Sequence, residues 1–223
     1  MKISKIEQYI AQLLRIEGGI APASTHYADL RDAFVQGGDS GFRAEAPTAN
    51  GLEPTLFGLS LTDARRLWRD YYGIKGVEKM GADCLRRMSY EDWQMAVQRA
   101  WWLPLNCDKM PYQNLSNMVA DSVRFYGDAS VVLHQLLDFL EQNRRFFGCN
   151  YEPLPETDVI NQLITRRLYC QIRSTEVCNY LIRQLADLRI DYIHQRAETD
   201  AAWARNANEL IRLSLESRPV AEG

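Results

Sequence analysis

The sequence has few of the features that mark membrane-spanning, disulfide-stabilised or metal-binding proteins. Its apolar stretches, such as residues 95–104, are short and interrupted, so we expect no membrane span. The 5 cysteines are widely spaced and include no CxxC pair, which predicts reduced thiols rather than a disulfide framework. The 3 histidines lie in different segments without metal-ligand spacing, so no metal site is expected.

Charge and motif content exclude further classes of protein. Lys and Arg number 26 against 29 Asp and Glu, for a formal net charge of -3. This balance lacks the basic field of a nucleic-acid binder, so no nucleic-acid partner is expected. The sequence contains no GxGxxG, P-loop or G-x-S-x-G motif, and we expect no organic cofactor.

The first residues do not resemble a signal peptide. Two lysines stand near the start, but Glu7, Gln8 and Gln12 interrupt the apolar core that such a peptide needs. We therefore expect synthesis in the cytoplasm.

Apolar residues at helical spacing predict an all-α fold. Helices are expected over 3–16, 27–36, 61–72, from 89, and over 111–126, 128–146, 157–170, 174–197 and 200–216. Residues 37–54 contain 4 glycines and 2 prolines, which predicts one long irregular loop, with room for a short hairpin, after the first helices.

The most informative short feature is the segment Arg15–Gly19. Gly18 and Gly19 end the first predicted helix, so Glu17 lies at its carboxyl end. The negative end of the helix dipole and the apolar neighbours Ile16 and Ile20 favour a protonated carboxyl, the form that a general acid needs. The alternative is an ordinary solvated residue before a helix cap.

A helix that ends in Glu-Gly-Gly resembles the start of the glycoside hydrolase 108 family, lysozyme-like peptidoglycan muramidases of phage and bacterial genomes. The segment Thr55–Leu59 (TLFGL) is similar to the family's Thr-x-x-Gly-Ile element, and residues 88–105 resemble its Tyr/Trp-rich helix. The resemblance implies a lysozyme-like N-terminal region over residues 1–105.

The second half resembles the family's predicted peptidoglycan-binding region. In residues 115–127, Asp121 and Gly127 stand where that region has an Asp on a helix and a later Gly. Residues 200–210 resemble its closing helix, with Trp203 at the Trp and Arg205 displaced from the Arg. The resemblance therefore covers nearly the whole chain in order. It implies a helical C-terminal region over 106–223, packed with the first region into one unit.

The family resemblance also implies the chemistry. Glu17 would be the general acid, and a second carboxylate would activate water or support the cationic sugar. Asp39 is the preferred second carboxylate, followed by Glu45 and Glu53, and Thr55 would orient the water or the acid. The alternatives are that Asp39 is an ordinary turn residue and that Thr55 caps the following helix.

The implied partner is bacterial peptidoglycan, cleaved without metal or cofactor. An enzyme without a signal peptide would reach the wall after release by a holin or a secretion apparatus. Two features depart from the family: Glu17 and Thr55 are 38 residues apart, a much longer interval, and Asn50 stands at the family's Asp. These two departures and the mildly acidic chain favour an alternative. In that alternative the protein is a non-catalytic peptidoglycan- or protein-binding module on the same helical fold, in a phage or envelope assembly.

Overall fold

A computed structural model describes residues 5–144 and 162–216 of the chain. This part of the chain is mostly helical, as predicted, but it also contains a three-stranded sheet, so the expectation of a purely α-helical fold is wrong. The described residues form two compact units, one of Lys5–Ala100 and one that begins at Trp101. Cys149 and the predicted helix start at residue 157 lie outside the described residues.

The described residues of the first unit form six helices and the three-stranded sheet. The helices are α1 (Ile6–Gly18), α2 (Tyr27–Gln36), α3 (Gly38–Gly41), α4 (Leu61–Asp70), α5 (Ala82–Arg86) and α6 (Tyr90–Val97). The strands are β1 (Phe42–Thr48), β2 (Gly51–Leu56) and β3 (Leu59–Ser60). Residues Val77–Lys79 form a 3-10 turn.

The helix ends of this unit follow the sequence signals. Ser60 and Ser89 accept hydrogen bonds from the amides of Asp63 and Asp92, and so cap α4 and α6. Gly19 follows α1 with a φ of 70°, a left-handed conformation that glycine adopts without a steric cost. Glu17 is therefore in the last turn of α1, where the sequence predicts it.

The sheet occupies the segment for which the sequence predicts an irregular loop. Strand β1 pairs antiparallel with β2, with Arg43 opposite Thr55, and the register shifts after Arg43 in a bulge. Strand β3 pairs with the end of β2 through a two-residue turn, Phe57-Gly58. Both turn residues have positive φ, 45° and 78°, as a type I′ hairpin turn requires.

An aromatic cluster forms the core beside this turn. The rings of Phe34, Phe57, Tyr90 and Trp93 pack with centroid separations of 4.9–6.2 Å. The indole of Trp93 is fully buried and donates a 3.0 Å hydrogen bond to the carbonyl of Leu56. The cluster therefore fixes the end of β2 against α2 and α6.

The second unit is helical throughout its described residues. After a 3-10 turn at Cys107–Lys109 come α7 (Gln113–Tyr126), α8 (Ala129–Gln142), α9 (Gln162–Gln171), α10 (Thr175–Thr199) and α11 (Ala201–Glu216). Its core is apolar and includes Leu136, Leu181, Leu185 and Trp203. Across both units, no helix of the described residues is long and apolar enough to cross a bilayer.

Candidate functional site

Glu17 is a buried carboxylate at the carboxyl end of α1. Only 7% of its side chain is exposed, whereas a glutamate is seldom buried unless its charge is compensated. The interpretation of Glu17 as a solvated surface residue is therefore wrong. The buried face of α1, which includes Tyr9, Leu13 and Leu14, holds the helix against the core and fixes the position of the carboxylate.

Arg43 on β1 forms an ion pair with Glu17. Its Nη2 lies 3.6 Å from Oε2 of Glu17, and 41% of the arginine side chain is exposed. The sequence offers no signal for this pair, because residues 37–54 predict a loop and the pair depends on a strand.

Thr55 lies directly across the sheet from Arg43. Its Cα pairs with that of Arg43 on β1 and with that of Ser60 on β3, and its side chain is buried. Side chains directly opposite each other on paired strands share one face of the sheet. Thr55 does not cap α4, because Ser60 does. The sheet therefore places Thr55 beside the arginine that contacts Glu17.

Asp39 is exposed, but its helix is attached to the end of α1. The Oγ of Ser40 donates a 2.6 Å hydrogen bond to the carbonyl of Gly18, the residue after Glu17. The side chain of Asp39 is 97% exposed, and its Oδ1 accepts a 3.2 Å hydrogen bond from Arg86. Asp39 is thus a solvent-facing carboxylate on a segment held beside the Glu17 position.

Glu53 has a structural role in the hairpin. Its Oε2 accepts hydrogen bonds from the amide (2.9 Å) and the hydroxyl (2.8 Å) of Thr62 in the first turn of α4. Its Oε1 accepts from Thr48 (2.7 Å) and from the Asn50 amide (3.3 Å). Both carboxylate oxygens are occupied in holding the β1–β2 turn to α4. We therefore remove Glu53 from the candidates for the second carboxylate.

The remaining loop carboxylate, Glu45, is exposed within the bulge of β1. Asn50 lies in the turn between β1 and β2, where its side chain bonds Glu53. Because that bond is made by the amide group, Asn50 supports the hairpin and supplies no negative charge. Asp39 and Glu45 are then the exposed carboxylates of the predicted loop that the structure leaves available.

Four tryptophans of the described residues belong to the core. Trp68, Trp93, Trp101 and Trp102 are all buried. Trp102 also donates through Nε1 to the carboxylate of Asp108. None of these four indoles presents a face on which a sugar could stack.

In the second unit, Asp121 forms a buried ion-pair network rather than an exposed site. It accepts hydrogen bonds from Arg124 at 3.0 Å and from the buried Arg189. Burial alone would raise the pKa of Asp121, but the two guanidinium groups outweigh it and hold that pKa below its usual range. Gly127 ends α7 with a φ of 70°, and Trp203 is buried. The residues that carry the C-terminal resemblance are therefore largely structural.

Among residues 5–144 and 162–216, no group of three or more His, Cys, Asp or Glu side chains is arranged to hold a metal ion. No protein-family model, curated protein or solved structure was found to match the chain. Function must therefore be inferred from the chemistry of Glu17, Arg43, Thr55 and Asp39.

Proposed function

We propose that the protein is a lysozyme-like hydrolase of the glycan strands of bacterial peptidoglycan, with Glu17 as its general acid. The observation that carries this proposal is the burial of Glu17 at the end of α1, beside a sheet that presents Arg43 and Thr55. A buried carboxyl on a rigid helix can deliver a proton to a fixed position. The Glu-Gly-Gly and Thr-x-x-Gly elements of the glycoside hydrolase 108 family support the same role.

Hydrolysis of a glycosidic bond requires two carboxyl groups with different tasks. Glu17 would protonate the leaving oxygen, and Asp39 would activate the water or support the cationic sugar. Asp39 suits this second task because it faces solvent while the Ser40 bond to Gly18 keeps its segment at the end of α1. The hydroxyl of Thr55 would orient the water or the acid.

The reaction requires access to the cell wall. We propose that the protein is made in the cytoplasm and reaches peptidoglycan after release by a holin or a secretion apparatus. The chemistry assigned to Glu17 and Asp39 is acid–base chemistry of the chain's own side chains, and the proposal assigns no step to a metal or a cofactor.

The decisive experiment compares wild-type protein with Glu17→Gln on purified peptidoglycan. Turbidity loss and new reducing ends report cleavage, and mass spectrometry of the borohydride-reduced products shows which sugar carries the new end. Glu7→Gln is the matched control, because it makes the same change at the opposite end of α1, about 15 Å away at 1.5 Å per residue. Far-UV circular dichroism checks that all three proteins are folded.

We expect cleavage by the wild type and by Glu7→Gln, and a loss of about a hundredfold or more in Glu17→Gln, because general acid catalysis contributes on that order. Asp39→Asn should lower the rate as well, whereas Glu45→Gln should not. Cleavage that survives Glu17→Gln, or an inactive wild type across acidic to neutral pH, would contradict the proposal.

One observation favours the alternative, a non-catalytic binding module on the same fold. Glu17 is engaged in an ion pair with Arg43 and only 7% of its side chain is exposed, whereas a general acid must come within hydrogen-bond reach of the substrate oxygen. A protein that sediments with insoluble peptidoglycan without cleaving it would be a wall binder. A protein that neither binds nor cleaves peptidoglycan would be a module for a protein partner.

A further inference from the structure

Arg43 differs from the other arginines of the first unit in what it contacts. Its guanidinium lies 3.6 Å from the buried carboxylate of Glu17, while 41% of its side chain is exposed. Arg43 therefore contacts the candidate general acid while part of its own side chain faces solvent.

The hydrogen-bonding groups of Arg43 are not used within the described residues. A guanidinium has five N–H donors, and a separation of 3.6 Å exceeds the length of an N–H···O hydrogen bond. Arg65, by contrast, donates three hydrogen bonds to the carbonyls of Glu78 and Met80. The donors of Arg65 thus stabilise the fold, whereas the donors of Arg43 remain available to a ligand.

The backbone around Arg43 also holds it in place. It pairs with Thr55 on the central strand, and the register shift of β1 begins immediately after it. A bulge next to a functional site commonly re-aims one side chain of the strand. The pairing with Thr55 and the bulge that follows together fix the backbone of Arg43.

We propose that Arg43 binds a carboxylate of the substrate and so makes the site selective for anionic, muramoyl-containing glycans over neutral chitin-type glycans. This inference rests on the proposed function. Peptidoglycan differs from chitin in the lactyl group, and the acidic peptide attached to it, on every second sugar. An arginine binds a carboxylate through two parallel N–H···O bonds, which neutral sugar hydroxyls cannot match.

A substrate carboxylate would compete with Glu17 for the guanidinium of Arg43. Substrate binding would therefore transfer this contact from the protein to the ligand. Arg43 would be a specificity-determining and positioning residue rather than a proton donor.

Binding is measured first in the inactive Glu17→Gln background, because this separates recognition from cleavage. The ligands are a muramoyl-containing peptidoglycan tetrasaccharide with its lactyl carboxylates, and a chitin tetrasaccharide of the same length. The proteins are Glu17→Gln alone and Glu17→Gln combined with Arg43→Gln, Arg43→Lys or Arg31→Gln. Arg31 is the matched control, since it lies 3.8 Å from Glu91 on the surface and 58% of its side chain is exposed.

We expect Arg43→Gln to weaken binding of the muramoyl ligand by about tenfold to a hundredfold, the range for a hydrogen-bonded charged group. Binding of the chitin ligand should change less than about twofold, and Arg43→Lys should restore part of the loss. Arg31→Gln should alter neither affinity. Rising salt should weaken the muramoyl complex selectively.

The turnover assay provides the second readout. With Glu17 intact, Arg43→Gln should lower kcat/KM for peptidoglycan while activity on glycol chitin is retained. Equal loss on both glycans would show that Arg43 only supports the site, and no loss on either would show that it does not recognise substrate. Either result overturns this inference and leaves the role of Glu17 standing. Absence of binding to both ligands would contradict the proposed function as well.

Discussion

The Cα of Gly18 lies directly against the ring of Phe57. A Cβ added at Gly18 would stand 2.3 Å from Cε1 of Phe57, and one added at Gly41 would stand 2.4 Å from the same atom. Two glycines, one in α1 and one in α3, are therefore in close contact with the same part of this ring. This packing gives the first glycine of the Glu-Gly-Gly sequence a structural role of its own.

We predict that Gly18→Ala destabilises the first unit by about 3 kcal/mol, at the upper end of the range for overpacking, because the ring of Phe57 also packs against Phe34 and Trp93 and has little room to move. Urea denaturation followed by tryptophan fluorescence measures this change. Gly38→Ala is the control: nothing lies within 4 Å of its added Cβ, so its free energy of unfolding should change by less than about 0.5 kcal/mol. Equal stability of the two variants would show that Phe57 can relocate.

We predict that Glu53→Gln lowers stability without abolishing activity. A glutamine has one acceptor oxygen where Glu53 has two, so either the Thr62 groups or the Thr48 and Asn50 groups lose their acceptor. The expected cost is about 1.5–3 kcal/mol, the range for hydrogen bonds to a charged group. Thermal unfolding, together with activity per folded molecule, measures both effects.

Glu45→Gln serves as the comparison for Glu53→Gln, because it makes the same change at an exposed position of the same hairpin. Its stability should match the wild type within about 0.5 kcal/mol. A Glu53→Gln protein with wild-type stability and no activity would restore Glu53 as a candidate for the second carboxylate.

The helices could be predicted because their signals are local. Segment 27–36 matches α2 in extent, and α4 and α6 begin at or next to the predicted starts at residues 61 and 89. Each of these signals depends on residues within one or two turns of one helix. The position of Glu17 at the end of α1 could be read in the same way from Gly18 and Gly19.

The sequence leaves room for a short hairpin in residues 37–54, but the full three-stranded sheet and the Arg43 contact could not be predicted, since both depend on pairing between segments. Strand β1 contains a bulge, which disrupts the alternation of apolar and polar residues by which a strand is recognised. Phe57 occupies a left-handed turn position that favours glycine or asparagine, so the turn lacks its usual sequence signal. The tertiary packing of Phe57 against Gly18 and Gly41 outweighs that local preference.

We predict that Asp121→Asn strongly destabilises the second unit. The substitution leaves the buried Arg189 without a carboxylate partner, and the loss of one partner of a buried ion pair costs about 3–5 kcal/mol. Glu141→Gln is the control, because it alters an ion pair with Arg144 in which more than half of each side chain is exposed. That change should cost less than about 1 kcal/mol.

The contribution of Asp121 should also depend on pH. The arginines hold the pKa of the folded carboxyl below its unfolded value of about 3.9, so the unfolded chain takes up the proton first on acidification. The stabilisation is complete above the unfolded pKa and is lost as pH falls through the folded pKa. The stability difference between wild type and Asp121→Asn should therefore shrink below about pH 4. A difference that stays constant in acid would contradict the assigned pairing.

We predict that the cysteines divide into reactive and protected thiols. Burial raises the pKa of Cys107 well above its usual value and that of Cys178 to about 12, whereas Cys170 is exposed and Cys84 is half-buried. The thiolate is the reactive form, so Cys107 and Cys178 should resist a disulfide reagent in the native protein. A Cys149→Ser background limits the count to the four described thiols. In the native protein we expect rapid labelling of Cys84 and Cys170 alone. In urea we expect all four thiols to react. Rapid native labelling of Cys107 would show that the core around α7 opens.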